Sequence, residues 1–382
     1  MADAFDFEVA PKAHEPGVLH LHLLDRCNLR CRHCYMDAAN DGRRFLRSDV
    51  VGRSLRETER LGIRTVYLTG GEPFLHPDLA GILSSAEAGK SFHLVVCSNG
   101  TLIGPEEAAL LKACGASVQV SIDGEESYHD RFRGVPGAFR ATSEGIKSLV
   151  LAAVPVSVVV TLCQDNFGSL AWLAEWAAGM GVERISVQPL QEVGRGVELR
   201  RLRLSHDQMC DLFLRVSDLG VRYRQRGLRF SLNYRAKSYL LAHPCAAYVC
   251  NGAGCHRGVA KEIKTLVVRE DGTVLPEIPT LDPRFALGNL YDAPLVELVR
   301  RYFADGYQEF HALCRTLFME VIPDYPAPIV PWDELLSERS WTFKPPASSP
   351  ALPATAFQAG PSSSTQGLQP SGVRLSGRDC PR

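Results

Sequence analysis

The sequence predicts an α/β fold: a partial (β/α)6 TIM-like barrel, then a small α+β C-terminal extension and a disordered tail. Three observations predict it. Between residues 17 and 234, short apolar runs alternate with longer stretches of helical periodicity. The runs are rich in Val, Ile and Leu, the composition of strands in a parallel sheet covered by helices. Beyond them the composition changes twice, first to scattered cysteines with a hairpin-like stretch, then to proline and serine.

The elements follow in order. "VLHLHLLD" (18–25) alternates as a strand does, and Ser48 is placed to cap a helix from Asp49 to Leu61. "RTVYLTG" (64–70) is the second strand and "HPDLAGILSSAEAGK" (76–90) the next helix. "FHLVVCSNG" (92–100) is a strand, with a helix opening at Pro105. "SVQVSIDG" (117–124) and "VPVSVVVTL" (154–162) are strands, with a helix from about Ala138 between them. "ERISVQPL" (183–190) is the sixth strand. A helix over 205–226 and a further candidate strand, "LRFSLNY" (228–234), follow. The first six strands end in polar or glycine residues: Asp25, Thr69 to Gly71, Ser98 to Gly100, Ser121 to Gly124, Thr161 and Gln188. Parallel α/β folds gather their sites at the carboxyl ends of the strands. These ends are therefore read together.

The 382 residues, 45% of them hydrophobic, suffice for a large domain with a smaller companion. Lys plus Arg number 42 and Asp plus Glu 43, a formal net charge of −1 without a like-charge block. That argues against electrostatic binding to nucleic acid or to an anionic membrane surface. Residues 1–16 are expected to be flexible. The first 20 residues are acidic and broken by proline, and lack the basic start and apolar run of a signal peptide. No apolar stretch is long enough for a transmembrane helix. A cytoplasmic location is expected. Twelve cysteines in a reducing compartment then read as metal ligands or reactive thiols, not as a disulfide framework. Cys97, Cys114, Cys163 and Cys210 sit singly among apolar neighbours and are expected to be packed in the core.

"CNLRCRHCYM" (27–36) places Cys27, Cys31 and Cys34 at C-x3-C-x2-C spacing just after the first strand. Three thiolates can form part of a zinc site, hold an iron–sulfur cluster with one iron left open, or simply pack. A closed zinc site needs four ligands, and His33 beside Cys34 suits the fourth place poorly. A [4Fe–4S] cluster normally takes four cysteines, so three leave one iron free to bind something else.

With these residues the sequence resembles the radical S-adenosylmethionine enzymes, whose hallmark is C-x3-C-x-aromatic-C. His33 takes the aromatic place here and Tyr35 follows Cys34; "RCNLRCRHCYM" is similar to the members that modify peptides and proteins. The resemblance implies a [4Fe–4S] cluster on Cys27, Cys31 and Cys34 whose open iron chelates S-adenosyl-L-methionine. It implies reductive cleavage of that cofactor to a 5′-deoxyadenosyl radical, which abstracts a hydrogen atom from the substrate. Four further segments carry the likeness. "TGGEP" (69–73) resembles the glycine-rich stretch that binds the methionine amino group, which implicates Gly70, Gly71 and Glu72. "SNGT" (98–101) implicates Ser98 and Asn99, and "SIDG" (121–124) implicates Ser121 near the ribose or carboxylate. Arg133, in "YHDRFRG", holds the place of a carboxylate-binding arginine in related sulfatase-maturing enzymes. Gln188 and Leu190 are implied to flank the adenine, and Tyr35 joins the cofactor-binding set.

Residues 235–343 resemble a degenerate SPASM-type extension, placed after a core barrel over 17–234. "CHRGVAKEIKTLVVREDGTVLPE" (255–277) and then "LGNLYDAPLVELVRRY" (287–302) follow its outline. Glu277 stands where those relatives have a cysteine, and Cys314 follows later. Three readings stay open. Cys245, Cys250, Cys255 and Cys314 are candidate ligands of one auxiliary iron–sulfur cluster, with Glu277 able to replace one. Cys255 or Cys250 is a candidate hydrogen-atom donor. The extension without metal is the third. Residues 344–382 carry seven prolines and seven serines in 39 positions and are expected to be disordered, with Cys380 incidental.

The expected function is maturation of a peptide or protein substrate, with electrons from a donor such as a flavodoxin or ferredoxin. The stretch before the first strand is too short for a leader-peptide-binding domain, so a separate protein is expected to supply it. One alternative keeps the chemistry but takes a small-molecule metabolite or cofactor precursor. Another, of a different class, is a non-enzymatic zinc-binding scaffold. Action on nucleic acid is disfavoured by the neutral charge.

Overall fold

The seven apolar runs settle side by side in one sheet. The computed structural model describes residues 17–88, 91–242, 244–247 and 263–344. Strands β1 (Gly17–His22), β2 (Ile63–Thr69), β3 (His93–Ser98), β4 (Ser117–Ser121), β5 (Val156–Leu162), β6 (Arg184–Pro189) and β7 (Arg229–Leu232) each pair in parallel with the next. Parallel neighbours need crossovers. These carry helices α1 (Ser48–Leu61), α2 (Leu79–Ala88), α3 (Pro105–Ala113), α4 (Glu126–Arg133), α5 (Ala138–Leu151), α6 (Leu170–Gly179) and α7 (His206–Tyr223).

The strands are not buried equally on both faces. In β4 and β5 burial alternates residue by residue. Val118, Val120, Val158 and Val160 pack in the core, whereas Gln119, Ser121, Ser157 and Thr161 line an internal cavity. A polar inner face is what a sheet curled around a binding space requires, and it replaces the doubly apolar pattern expected from composition.

After β7 come β8 (Arg235–Ala236) and α8 (Lys237–Ala242), then β9 (Thr265–Val268), β10 (Thr273–Pro276) and β11 (Gly288–Asn289). Helices α9 (Leu295–Asp305) and α10 (Tyr307–Val321), strand β12 (Ile329–Val330) and helix α11 (Trp332–Thr342) complete the described chain. β9 and β10 form the expected hairpin. β9 also pairs in parallel with the outer edge of β1, so one sheet runs β11-β10-β9-β1-β2-β3-β4-β5-β6-β7. The sheet stays open: β7 and β11 are its ends. β12 and β8 make a separate antiparallel pair.

Several local expectations change. β1 ends at His22, and the residues after it form a loop. Helix α1 begins at Ser48, with Arg47 in the cap position, while the Ser48 side chain bonds Asp78 instead. Helix α4 lies before Ala138, in a span to which the sequence reading assigned no element. Cys114 and Cys163 are buried as expected, but Cys97 is half-buried in the cavity wall and Cys210 half-buried on α7. Among the described residues, no helix is long and apolar enough to cross a membrane. The expected flexible N-terminus (1–16), nearly all of the tail expected to be disordered (345–382), and Cys250 and Cys255 lie outside the described residues, as does the Cys245 side chain.

Candidate active site

The loop after β1 carries the cysteine triad and is held from three sides. Leu24 O and Arg26 O accept from the backbone N–H groups of Gly71 (2.7 Å) and Glu72 (2.8 Å), tying it to the loop after β2. The approach is so close that a Cβ on Gly71 would lie 2.0 Å from Arg26 O. The glycines of "TGGEP" are thus required first by loop-on-loop packing. Arg30 N and Arg32 N donate to Arg133 O (3.1 Å) and Phe132 O (2.9 Å), docking the loop on the end of α4. From the segment after β6, Arg195 Nε donates to Cys31 O (2.7 Å), its Nη1 to Ala38 O (3.1 Å), and its backbone N to Cys34 O (3.0 Å). Arg195 also pairs with Asp37 at 2.5 Å.

All three thiols line one cavity of ≈ 1150 Å³, together with Tyr35, Gly70, Gly71, Ser98, Asn99, Ser121, Arg133, Gln188 and Leu190. The strand-end residues therefore converge, although they span more than 150 positions of the chain. Glu72 differs. It is 0% exposed and lies behind the wall: Ser98 Oγ donates to its Oε1 and Asn99 N to its Oε2, both at 2.8 Å, with Phe74 N at 3.3 Å. It positions two lining residues and does not itself line the cavity.

Cys27 and Cys31 are buried and Cys34 is half-buried; all three are free thiols. Burial pushes the Cys27 thiol up to about 12 and raises Cys31 as well. Asn99 Nδ2 donates to Cys27 Sγ (3.9 Å), and Arg133 Nη1 to Cys31 Sγ (3.6 Å). Such desolvated thiols are poor free nucleophiles, yet bound metal deprotonates a thiol outright. Among the described residues, no three His, Cys, Asp or Glu side chains are arranged to share one metal ion. A cluster spreads its thiolates over separate irons, so its cysteines need not converge on one point. Three soft donors facing one cavity fit an iron–sulfur cluster with an open iron.

Arg133 is fixed from below. Its Nε pairs with Asp123 Oδ2 at 2.6 Å, and Asp123 is 0% exposed. Burial works against the Asp123 charge, but the Arg133 guanidinium beside it holds its carboxyl below the usual range. His33 stacks on Phe132 at 4.3 Å, and burial pushes its imidazole down to about 3, so the ring is a neutral aromatic. Tyr35 Oη and His22 Nε2 are 3.3 Å apart. Sequence reasoning gave no role to Asp123 or Arg195. Asp123 stood inside the quoted "SIDG", and the only signal for Arg195 was its place between two glycines after the sixth strand.

Of the auxiliary candidates, Cys314 is 0% exposed within the apolar core of α10, where burial raises its thiol strongly. Glu277 Oε1 accepts from Lys264 N (2.9 Å) and Thr265 N (3.0 Å), tying down the start of β9. Both fit structural roles.

Residues 21–177 match the family model described as the Radical SAM superfamily. The chain is 34% identical over 187 residues to an AdoMet-dependent heme synthase of Methanosarcina barkeri, covering 48% of this chain and 53% of that protein. It is 31% identical over 200 residues to the sporulation killing factor maturation protein SkfB of Bacillus subtilis, covering 51% and 48%. It thus spans about half the length of these relatives. Among solved structures, Streptococcus suis SuiB bound to S-adenosylmethionine aligns over 78% of this chain and 68% of that one, with TM-score 0.61 and 18% identity. The structure of native anSMEcpe with bound AdoMet aligns over 74% and 79%, with TM-score 0.55 and 18% identity. At such identities the likeness is one of fold.

Proposed function

From the premise that this chain carries a radical SAM superfamily domain over residues 21–177, we propose an enzyme that takes a hydrogen atom from a peptide or protein substrate and so matures it. The observation that carries the reading is the joint arrangement of Cys27, Cys31, Cys34 and the strand-end residues around one cavity. When bound, a [4Fe–4S] cluster and S-adenosyl-L-methionine supply a 5′-deoxyadenosyl radical that abstracts that hydrogen. Cys27, Cys31 and Cys34 would hold the cluster. Arg133, kept charged by Asp123, would take the cofactor carboxylate. Gly70, Gly71, Ser98, Asn99 and Ser121 would form the wall beside it, Glu72 holding Ser98 and Asn99 in place. Tyr35, Gln188 and Leu190 would close the remaining side against water, which matters because a radical is quenched by stray donors.

A maturation protein among the relatives supports a peptide substrate. The heme synthase relative favours a second reading, a tetrapyrrole-type small molecule. The peptide reading also calls for an electron donor such as a flavodoxin or ferredoxin. An auxiliary cluster would draw on Cys245, Cys250, Cys255 and Cys314, with Glu277 able to replace one; otherwise Cys250 or Cys255 is left as hydrogen-atom donor.

Anaerobic reconstitution tests the proposal. Iron per chain, and 5′-deoxyadenosine formed with a reductant, should both collapse in Cys27→Ala, Cys31→Ala or Cys34→Ala. Wild-type protein that stays colourless and cleaves no cofactor would end the reading. Cys255→Ala should lower the iron count while leaving cofactor cleavage; an unchanged count removes the auxiliary cluster.

A further inference from the structure

Asn28, which follows Cys27, and Thr101, in the loop after β3, stand behind the cavity wall. With Asn99 they close a ring of side-chain hydrogen bonds. Asn99 Nδ2 donates to Asn28 Oδ1 (2.8 Å), Asn28 Nδ2 to Thr101 Oγ1 (2.8 Å), and Thr101 Oγ1 to Asn99 Oδ1 (2.7 Å). One backbone group sets the direction of the ring. Thr101 N can only donate, and it reaches Asn99 Oδ1 at 2.9 Å. Oxygen therefore lies on that side of the Asn99 amide and nitrogen on the other, and the roles of Asn28 and Thr101 follow.

The ring leaves the second hydrogen of Asn99 Nδ2 for Cys27 Sγ, 3.9 Å away. The backbone of Asn99 is pinned as well: its N donates to Glu72 Oε2 and its O accepts from Thr142 Oγ1, both at 2.8 Å. The residue is 7% exposed. Both amide hydrogens and both lone pairs of Oδ1 are thus engaged. A buried polar network satisfied to this degree holds one geometry. What it delivers to the site is a single N–H aimed at a sulfur. Cys27 Sγ accepts a further bond from Leu29 N (3.4 Å), and Cys31 Sγ accepts from the Arg133 guanidinium (3.6 Å).

We propose that Asn28 and Thr101 are positioning residues that hold the Asn99 amide so that its N–H donates to the Cys27 thiolate and raises the reduction potential of a cluster bound there. The inference rests on the reading of Cys27 as a cluster ligand. Reduction adds negative charge to the cluster and its sulfurs, so a donor aimed at a ligand sulfur stabilises the reduced form more than the oxidised one. Loosening of the loop acts in the opposite sense to loss of the donor, because water admitted to a buried site favours the more highly charged reduced form. The sign of the shift therefore separates a lost N–H from a loosened loop.

The test is an anaerobic redox titration of the reconstituted protein without S-adenosylmethionine, followed by electron paramagnetic resonance. Asn99→Ala should lower the midpoint potential by about 59 mV, a tenfold change for one electron and the low end of the usual worth of a hydrogen bond to a charged group. Asn28→Ala and Thr101→Val should lower it by a smaller amount. Thr101→Ser, which keeps the hydroxyl, should return it to the wild-type value. Midpoints that stay at the wild-type value in Asn99→Ala, Asn28→Ala and Thr101→Val, or that rise, overturn the proposal. A second measurement needs no variant. Wild-type protein grown with asparagine carrying heavy nitrogen in its side-chain amide should show a coupling from that nitrogen to the reduced cluster in pulsed resonance, and its absence also overturns the proposal. Protein that carries a reducible cluster but fails these readouts loses only the positioning ring. Protein that takes up no iron loses the cysteine assignment beneath it, and the ring with it.

Discussion

At the scale of single residues, Glu72 shows how burial sets the chemistry of the site. Three donors reach its carboxylate, yet burial outweighs them and lifts its pKa from 4.5 to about 7. An acid with a raised folded-state pKa binds protons more tightly when folded. Its stabilising contribution is therefore present below about pH 4.5 and is lost as pH rises through about 7. The lost amount is on the order of 3 kcal/mol. Replacing Glu72 by Gln removes the titration. The stability difference between wild type and Glu72→Gln, from urea unfolding at fixed pH values, should shift against wild type across that window. A difference that stays flat from pH 4.5 to 7 means the carboxylate is already ionised. Glu72 was legible as important, since an acid after paired glycines at a strand end is a recognisable signal. Its partners were not, because Ser98 and Asn99 come from another strand and only folding brings them within 2.8 Å.

At the scale of elements, the parallel strands were the most readable feature, because each is a compact Val, Ile and Leu run bounded by polar residues. Helices were less so. Helix α4 was hidden because "ESYHDRFR" is polar nearly throughout and buries only His129, Phe132 and Arg133. Its value lies in presenting backbone carbonyls to the cysteine loop, which no hydrophobic period reports. The segment after β6 was opaque for the same reason. Gly194 there has φ +58, and a Cβ on it would lie 2.4 Å from Cys34 O, so the chain passes directly against the triad. Arg195 then clamps the loop at Cys31, Asp37 and Ala38. Arg195→Ala should leave the sheet intact, with a thermal midpoint within a few degrees of wild type. It should nevertheless release reconstituted iron to a chelator several-fold faster, and Arg195→Lys should restore only part of the retention because a fork of donors is lost. Equal release rates in the three proteins would show that the clamp does not hold the cluster loop.

At the scale of the whole molecule, the extension is part of the sheet. β9 pairs along β1 through Val18, Leu19, His20 and Leu21, the strand that leads into the triad. One continuous core joins Leu19, Leu21 and Val66 to Leu266, Leu275, Phe310, Leu313 and Trp332. This continuity was not legible, because a parallel partner more than 240 positions away leaves no local pattern in either strand. It carries a consequence for any shortened chain. Fully burying a large apolar side chain contributes about 1.5–3 kcal/mol, and a domain's net stability is about 5–15 kcal/mol. Losing five such residues is enough to exhaust that margin. A chain ending at Ala247 loses more than five, and it also exposes the unpaired edge of β1, a template for association. It should show no cooperative thermal transition by circular dichroism and should sediment as aggregate, although it keeps every residue of the cysteine loop and of β1 to β7. A soluble monomer of that length with a sharp melt would mean that β1 needs no partner on its outer edge, and the cysteine loop would then owe its geometry to the first seven strands alone.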